Sequence, residues 1–235
     1  MQLFYTNQIS LDKNSCFLTE EDSYHCIKVL RRKEGEIIHI TDGQGNLITG
    51  VIANQDSKKT FISINHISFS NFNNNKNLTI AIAPTKNTDR IEWFVEKATE
   101  LGIGKIIFIL TDRGERTKIN LERLQKISIS AMKQSNQLFL PEIINLIKLK
   151  DLMQHCNDSE RFVAHCGKLE NHLFNCIHPD KNTIILIGPE GDFTNKEIIF
   201  LENNQFKSIN LGPNRLRTET AGLAAVLMYQ LKTIK

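Results

Sequence analysis

The 235-residue chain predicts an α/β fold: a mostly parallel sheet with helices on both faces, preceded by a small β-barrel. Three observations carry this. From residue 78 onward, buried-type apolar runs alternate with helical periodicities, the pattern of a parallel sheet covered on both sides. Before residue 70 the runs are short, alternate apolar with polar residues, and close at Gly-bearing turns. Between them SNFNNNKN, residues 70–77, has almost nothing to bury and reads as an exposed loop. The expected division is a barrel over 1–70, an Asn-rich linker over 71–77 and the α/β domain over 78–235.

In the first part, GEIIHITDG, NLITGVIANQ and KTFISINHISF read as strands, with Asp42-Gly43 and Gln44-Gly45 supplying turns. One short helix is expected from Glu20 to Leu30. Thr19 can cap it, and Tyr24, Ile27 and Leu30 fall at helical spacing. Lys28, Arg31, Arg32 and Lys33 crowd its far end. Such a cluster suits phosphate contacts and equally suits the negative end of a helix dipole.

In the second part LTIAIAP is a buried strand, followed by a helix from Asp89 to Leu101. Asp89 and Glu92 make a capping-box-like start and Gly102 a stop. Ile91, Phe94, Val95, Ala98 and Leu101 form one apolar stripe, the face that packs on a sheet. KIIFIL, a helix near Leu121 to Gln137, RFVAHC, TIILIG and a helix from Thr218 onward continue the alternation.

Composition narrows the class. Hydrophobic content of 40% and charged content of 23% are ordinary for a globular protein, and a net charge of +3 permits an RNA partner without requiring one. No run reaches the roughly eighteen apolar residues of a membrane helix, and no basic leader precedes an apolar run. A cytoplasmic protein with no membrane partner is expected. The five cysteines, Cys16, Cys26, Cys156, Cys166 and Cys176, are an odd count in a chain that shows no secretion signal, which argues against a disulfide framework. His155-Cys156, His165-Cys166 and Cys176 with His178 invite a zinc reading, but their spacing matches no CxxC knuckle. Buried thiols and no metal are expected.

Two strand-to-helix loops carry the chemistry. The first, IGPEGDFTNKE, ends a strand at Gly188, stiffens at Pro189, allows a positive φ at Gly191 and caps the next helix with Thr194 and Glu197. The second, LGPNRLRTETA, sets Arg215 and Arg217 around Leu216 and places Thr218 to cap a helix whose start is rich in small residues. In open α/β sheets ligands bind where such loops leave strand ends, so the two read as walls of one small-molecule pocket. Neither carries the lysine of a phosphate loop or GxGxxG spacing, which removes NTPase and dinucleotide readings. A carboxylate at Glu190 suits a cationic ligand better than a phosphate.

Taken together, Val29-Leu30-Arg31 with Gly35, EKATELGI, the Gln134-Ser135 pair, GPEG and LG-x-x-x-LRTETA resemble the RsmE-type 16S rRNA uracil-N(3) methyltransferases of the SPOUT superfamily. The resemblance covers nearly the whole chain. It implies a PUA-like barrel joined to a SPOUT domain with a trefoil knot, a homodimer, and S-adenosyl-L-methionine (AdoMet) as cofactor. It implies 16S rRNA as substrate, within the small ribosomal subunit or a late assembly intermediate. Carried onto this chain, the cofactor site comprises Gly188, Pro189, Glu190, Gly191, Leu211, Gly212, Leu216 and Thr218. Arg217 is the expected catalytic residue at the target base, with Glu219 a second candidate as base. Arg31, Arg32, Lys28 and Arg113 are expected on the RNA. The sequence departs from the family pattern at Asp192, where a second glycine is usual, and at Gln137, near a usual arginine. A tRNA ribose methyltransferase and a catalytically silent RNA-binding protein of the same fold are the alternatives.

Overall fold

The computed structural model describes residues 1–10, 14–70, 75–156, 160–167, 170–178 and 180–233. The chain divides into two compact units, Met1–Asn73 with Ile129–Leu140, and Asn74–Ser128 with Pro141–Lys235.

The first unit holds β1 (Leu3–Tyr5), β2 (Ile9–Ser10), β3 (Ser15–Phe17), α1 (Glu20–Tyr24), β4 (Ile37–Thr41), β5 (Asn46–Ile52) and β6 (Phe61–Phe69). They form a six-stranded sheet in the order β1-β4-β5-β6-β3-β2, and only the β1–β4 pair is parallel. Alternate residues of the strands, among them Ile38, Ile40, Ile48, Ile52 and Ile62, close one core with Phe4, Leu18 and Cys26. Thr19 caps α1 by accepting from the Asp22 amide at 3.2 Å. The expected single helix changes pitch partway: His25–Val29 is a π-helical turn.

One segment departs from the expected boundary. Ile129–Leu140 clusters with this first unit rather than with the rest of 78–235. Its Lys133 Nζ donates to Asp22 Oδ1 at 2.5 Å, and Asp22 is buried with its other oxygen accepting from the Tyr5 amide at 2.7 Å. Backbone bonds from Gly45 N to Leu138 O and from Leu140 N to Gly43 O, each 2.8 Å, complete the seam. A charge pair and two backbone bonds between segments this distant in the chain leave no periodicity in sequence, so the boundary was invisible there.

The second unit runs β7 (Asn75–Ile82), α2 (Thr88–Glu100), β8 (Ile103–Leu110), α3 (Leu121–Gln134, its end in the first unit), β9 (Glu142–Lys148), a 3₁₀ turn (Leu149–His155), β10 (Glu160–Ala164), α4 (Leu173–Cys176), β11 (Thr183–Ile187), α5 (Asn195–Asn203), β12 (Lys207–Ile209) and α6 (Thr218–Thr233). Its strands form one parallel sheet in the order β12-β10-β11-β7-β8-β9. Of the expected linker, 71–74 lie outside the described residues, and Asn75 already opens β7.

All five residues of β11 are buried, as a strand covered on both faces requires. Ile80, Ile82, Ile106 and Ile185 pack on one side against Phe94 of α2 and Val226 and Tyr229 of α6. Ala81, Ile107, Ile184 and Leu186 pack on the other against Leu149, Leu152, Phe193 and Leu201. Gly222 marks where α6 meets α2: a Cβ there would come within 2.7 Å of the Phe94 ring. Two helix starts differ from expectation. Asn87, not Asp89, caps α2, accepting from the Asp89 amide at 2.9 Å. Thr218 is the first residue of α6 rather than the residue before it, and its hydroxyl donates to the Gly188 carbonyl.

A candidate cofactor site at the carboxyl edge of the sheet

Three adjacent strands, β12, β10 and β11, end at the same edge, and the loops leaving them enclose a cavity of about 460 Å³. That is the volume of a small-ligand pocket. Gly188, Pro189 and Glu190 form one wall and Leu211, Gly212, Leu216, Arg217 and Thr218 another, as the sequence led us to expect. His165, Cys166 and Gly167, after β10, form a third wall that sequence reasoning missed. The signal was there: a buried strand ending in a glycine-bearing loop, RFVAHCG, read as thiol packing or a zinc remnant. Cys166 is exposed rather than buried, unlike Cys16, Cys26 and Cys156. Partial desolvation raises its thiol pKa above the usual value, and the nearby Asp192 carboxylate adds to that.

The loops are tied to one another by a few specific bonds. The Thr218 hydroxyl donates to the Gly188 carbonyl at 3.0 Å in a buried position. Arg215 donates to the Glu190 carbonyl at 3.1 Å, and Glu190 Oε1 accepts from the Lys86 amide at 3.1 Å. Asp192 accepts from the Cys166 amide at 2.9 Å with one oxygen and from the Phe193 amide at 2.8 Å with the other. It thereby joins the loops after β10 and β11.

Gly191 is the cofactor-site expectation that the geometry does not place at the cavity. The positive φ foreseen there falls on Asp192, at 61°, and an aspartate tolerates that region because its short side chain bonds locally. Gly191 has another use. A Cβ on it would sit 3.3 Å from Arg113, whose guanidinium donates to the Gly191 carbonyl at 2.9 Å. Arg113, expected on RNA, is thus a strut of the cofactor loop. Gly212 has φ of 129°, and a Cβ there would meet nothing within 4 Å, so this backbone is open toward the cavity.

The two catalytic expectations part company. Arg217 is exposed, lines the cavity and has no ion-pair partner among the described residues. Glu219 is buried, does not line the cavity and faces Arg90 of α2, with Arg90 Nε 3.6 Å from Oε1. It therefore stands outside the cavity lining, with Oε2 buried and lacking a hydrogen-bond partner among the described residues.

In the first unit Lys28, Arg31 and Lys33 surround the π-helical turn, and Arg31 takes a φ of 54°. Arg32, also expected on RNA, is paired with Glu36 at 2.9 Å. Exposed Tyr24 and Val29 lie in the same segment of the chain. Among the described residues no group of three or more His, Cys, Asp or Glu could hold a metal ion.

The model of the RNA methyltransferase domain matches residues 72–230, and that of the RNA methyltransferase PUA domain matches residues 18–64. The ribosomal RNA small subunit methyltransferase E of Mesomycoplasma hyopneumoniae (strain 232) is 31% identical over 229 residues, 95% of this chain and 96% of that protein. The crystal structure of a probable rRNA-methyltransferase from Porphyromonas gingivalis superposes with a TM-score of 0.91 at 33% identity, over 99% of this chain and 98% of that one. A ribosomal RNA small subunit methyltransferase E from Neisseria gonorrhoeae, bound to S-adenosyl methionine, superposes with a TM-score of 0.85 at 26% identity, over 98% and 97%. With both domain models matched and such relatives aligned over nearly its whole length, the chain belongs to the ribosomal RNA small subunit methyltransferase E family.

Proposed function

We propose that this protein transfers the methyl group of AdoMet to the N(3) imide nitrogen of a uridine in 16S ribosomal RNA. The observation that carries the reading is the three-walled cavity at the carboxyl edge of the sheet, in a chain whose N. gonorrhoeae relative binds S-adenosyl methionine.

The residues present fit that ligand. Leu211, Leu216 and Ala221 offer apolar cover for an adenine, and the open backbone at Gly212 offers close approach. Glu190 and Asp192 bring negative charge and Arg217 positive charge, matching a molecule that carries a sulfonium, an ammonium and a carboxylate. His165 Nε2 is buried with no hydrogen-bond partner among the described residues, a donor or acceptor still to be satisfied.

When bound, AdoMet supplies an electrophilic methyl carbon. The rest falls to the protein. A uracil imide is a poor nucleophile until it loses its N(3) proton, and the charge then spreads onto the flanking carbonyl oxygens. Arg217, at the cavity and without an ion-pair partner among the described residues, is placed to stabilise that charge. Glu190 and Asp192, the carboxylates of the lining, and solvent water are the candidate proton acceptors; Glu219 does not line the cavity.

Lys28 and Arg31 of the first unit would hold the RNA backbone, and the substrate would be the small subunit or a late assembly intermediate, placing the protein in the cytoplasm. A homodimer is part of the same reading. Leu227 and Leu231, one turn apart on α6, are 41% and 61% exposed, apolar side chains that a second copy would cover. The test is nucleoside mass spectrometry of small-subunit rRNA from cells lacking the gene and from complemented cells. Loss of 3-methyluridine, restored by the wild-type gene and not by Arg217→Ala, is the expected result. Unchanged 3-methyluridine would refute the proposal.

A further inference from the structure

We propose that a second cavity, at the carboxyl ends of β8 and β9, seats one single-stranded nucleotide of the RNA substrate, with its phosphate held by Lys148, Lys150 and Lys196. The inference rests on the RNA methyltransferase reading and adds to it a site that reading does not contain.

The cavity is about 460 Å³. Its floor is apolar, formed by Leu110 at the end of β8, Leu149 after β9 and Phe200 of α5. Its rim is basic. Lys148, Lys150 and Lys196 line it, all three are exposed, and none has an ion-pair partner among the described residues. An apolar platform bordered by cations is the arrangement that holds a base by its face and its phosphate by charge.

Two carboxylates, Glu197 and Asp112, share the cavity with the three lysines, leaving one formal positive charge in excess. Glu197 is buried and committed to the backbone: Oε1 accepts from the Asp112 amide at 2.8 Å, and Oε2 from the Thr194 amide at 2.7 Å and hydroxyl at 2.9 Å. Asp112 lies 3.4 Å from that same hydroxyl. Lys196 stands in the first turn of α5, where a cation opposes the helix dipole. An anion in the cavity would offset that repulsion. The Thr111 hydroxyl, also in the lining, is buried without a hydrogen-bond partner among the described residues.

Position links this cavity to the cofactor site. The segment Gly188 to Glu197 contributes its loop to the first cavity and its helix start to the second. Arg113 fastens the turn after β8 to that loop through the Gly191 carbonyl. In the sheet, β8 and β9 stand three and four places from β10, the middle strand of the first cavity, about 14–19 Å at ordinary strand spacing. One RNA strand with its uridine at the first cavity can therefore set a nucleotide a few places along in the second.

The test uses the full-length protein with Lys148→Gln, Lys150→Gln and Lys196→Gln combined, beside the same three positions changed to arginine. Three quantities are measured: AdoMet affinity by calorimetry, affinity for a small-subunit rRNA fragment across a salt series, and the single-turnover methylation rate at saturating RNA. The glutamine variant should bind RNA about tenfold more weakly, with the salt slope reduced by about 0.7 for each phosphate that is no longer neutralised. AdoMet affinity and the saturated rate should be unchanged, and the arginine variant should bind RNA as the parent does. RNA affinity and salt slope within about twofold of the parent would overturn the proposal. So would a parallel loss of AdoMet affinity, which would mark the lysines as supports of the fold. A parent protein that methylates no RNA would sink the underlying reading; a parent that methylates while indifferent to the lysines sinks this one alone.

Discussion

Thr218→Val tests how the cofactor cavity is held shut. The Thr218 hydroxyl donates a buried 3.0 Å bond to the Gly188 carbonyl, so one atom joins the loop after β12 to the loop after β11. Valine keeps the shape and removes the donor. The net value of an ordinary hydrogen bond is about 1 kcal/mol, but a buried carbonyl left without its donor costs about 1–3 kcal/mol. That cost falls on the closed arrangement of the loops, the one a ligand needs. If about 1.4 kcal/mol of it is felt on binding, AdoMet affinity falls about tenfold. Calorimetric titration with AdoMet reads the affinity, and urea unfolding reads the stability. Thr218→Ser, which keeps the hydroxyl, should lie close to the parent in both. A valine variant with the parent's affinity and unfolding midpoint would show that the bond does not organise the pocket.

The same geometry makes three further predictions. Gly104→Ala would set a Cβ 2.3 Å from the Lys76 carbonyl in the neighbouring strand, so β7 and β8 must separate; a loss of about 1–3 kcal/mol in urea unfolding is expected. Asp192→Asn removes a negative charge that, after burial, raises the Cys166 thiol pKa. Because the thiolate is the reactive form, Cys166 should alkylate faster at neutral pH in this variant, and AdoMet should protect it in both proteins. Mass spectrometry of peptides after a timed pulse of iodoacetamide reads the rate; equal rates would separate Asp192 from the thiol. Asp192→Gly relieves the 61° φ yet gives up the bond to the Cys166 amide, so urea unfolding should change little while the AdoMet affinity measured by calorimetry falls.

The sheet and both main cofactor walls were legible because their causes are local. TIILI has no polar residue facing either side except its first, and a strand with two covered faces is the natural home for it. Gly188 ends its run where a Cβ would crowd the Phe193 ring, and Gly212 ends its run where the backbone lies open. What depended on distant partners was not legible. Asp22 and Lys133 are 111 residues apart, and their bond moves a whole segment into the first unit. Asn87 outcompetes Asp89 as a cap by a small shift of register, which a short polar stretch such as KNTD leaves open. Thr218 proves to be the first residue of α6 rather than its cap, and its hydroxyl bonds to the Gly188 carbonyl, a partner thirty residues away that no local pattern shows. The third wall was hidden by its own composition, since His165 and Cys166 suggested metal or packing before they suggested a rim.

Base-resolved detection of the transferred methyl tests the chemistry most directly. Purified protein, isotopically labelled AdoMet and small subunits lacking the modification are incubated, and the nucleosides are separated and fragmented. The label should appear in a uridine whose base fragment, not its ribose, carries the methyl and which co-elutes with 3-methyluridine; Arg217→Ala should leave it nearly absent. Label on the ribose, on another base, or on no nucleoside at all would contradict the proposed reaction.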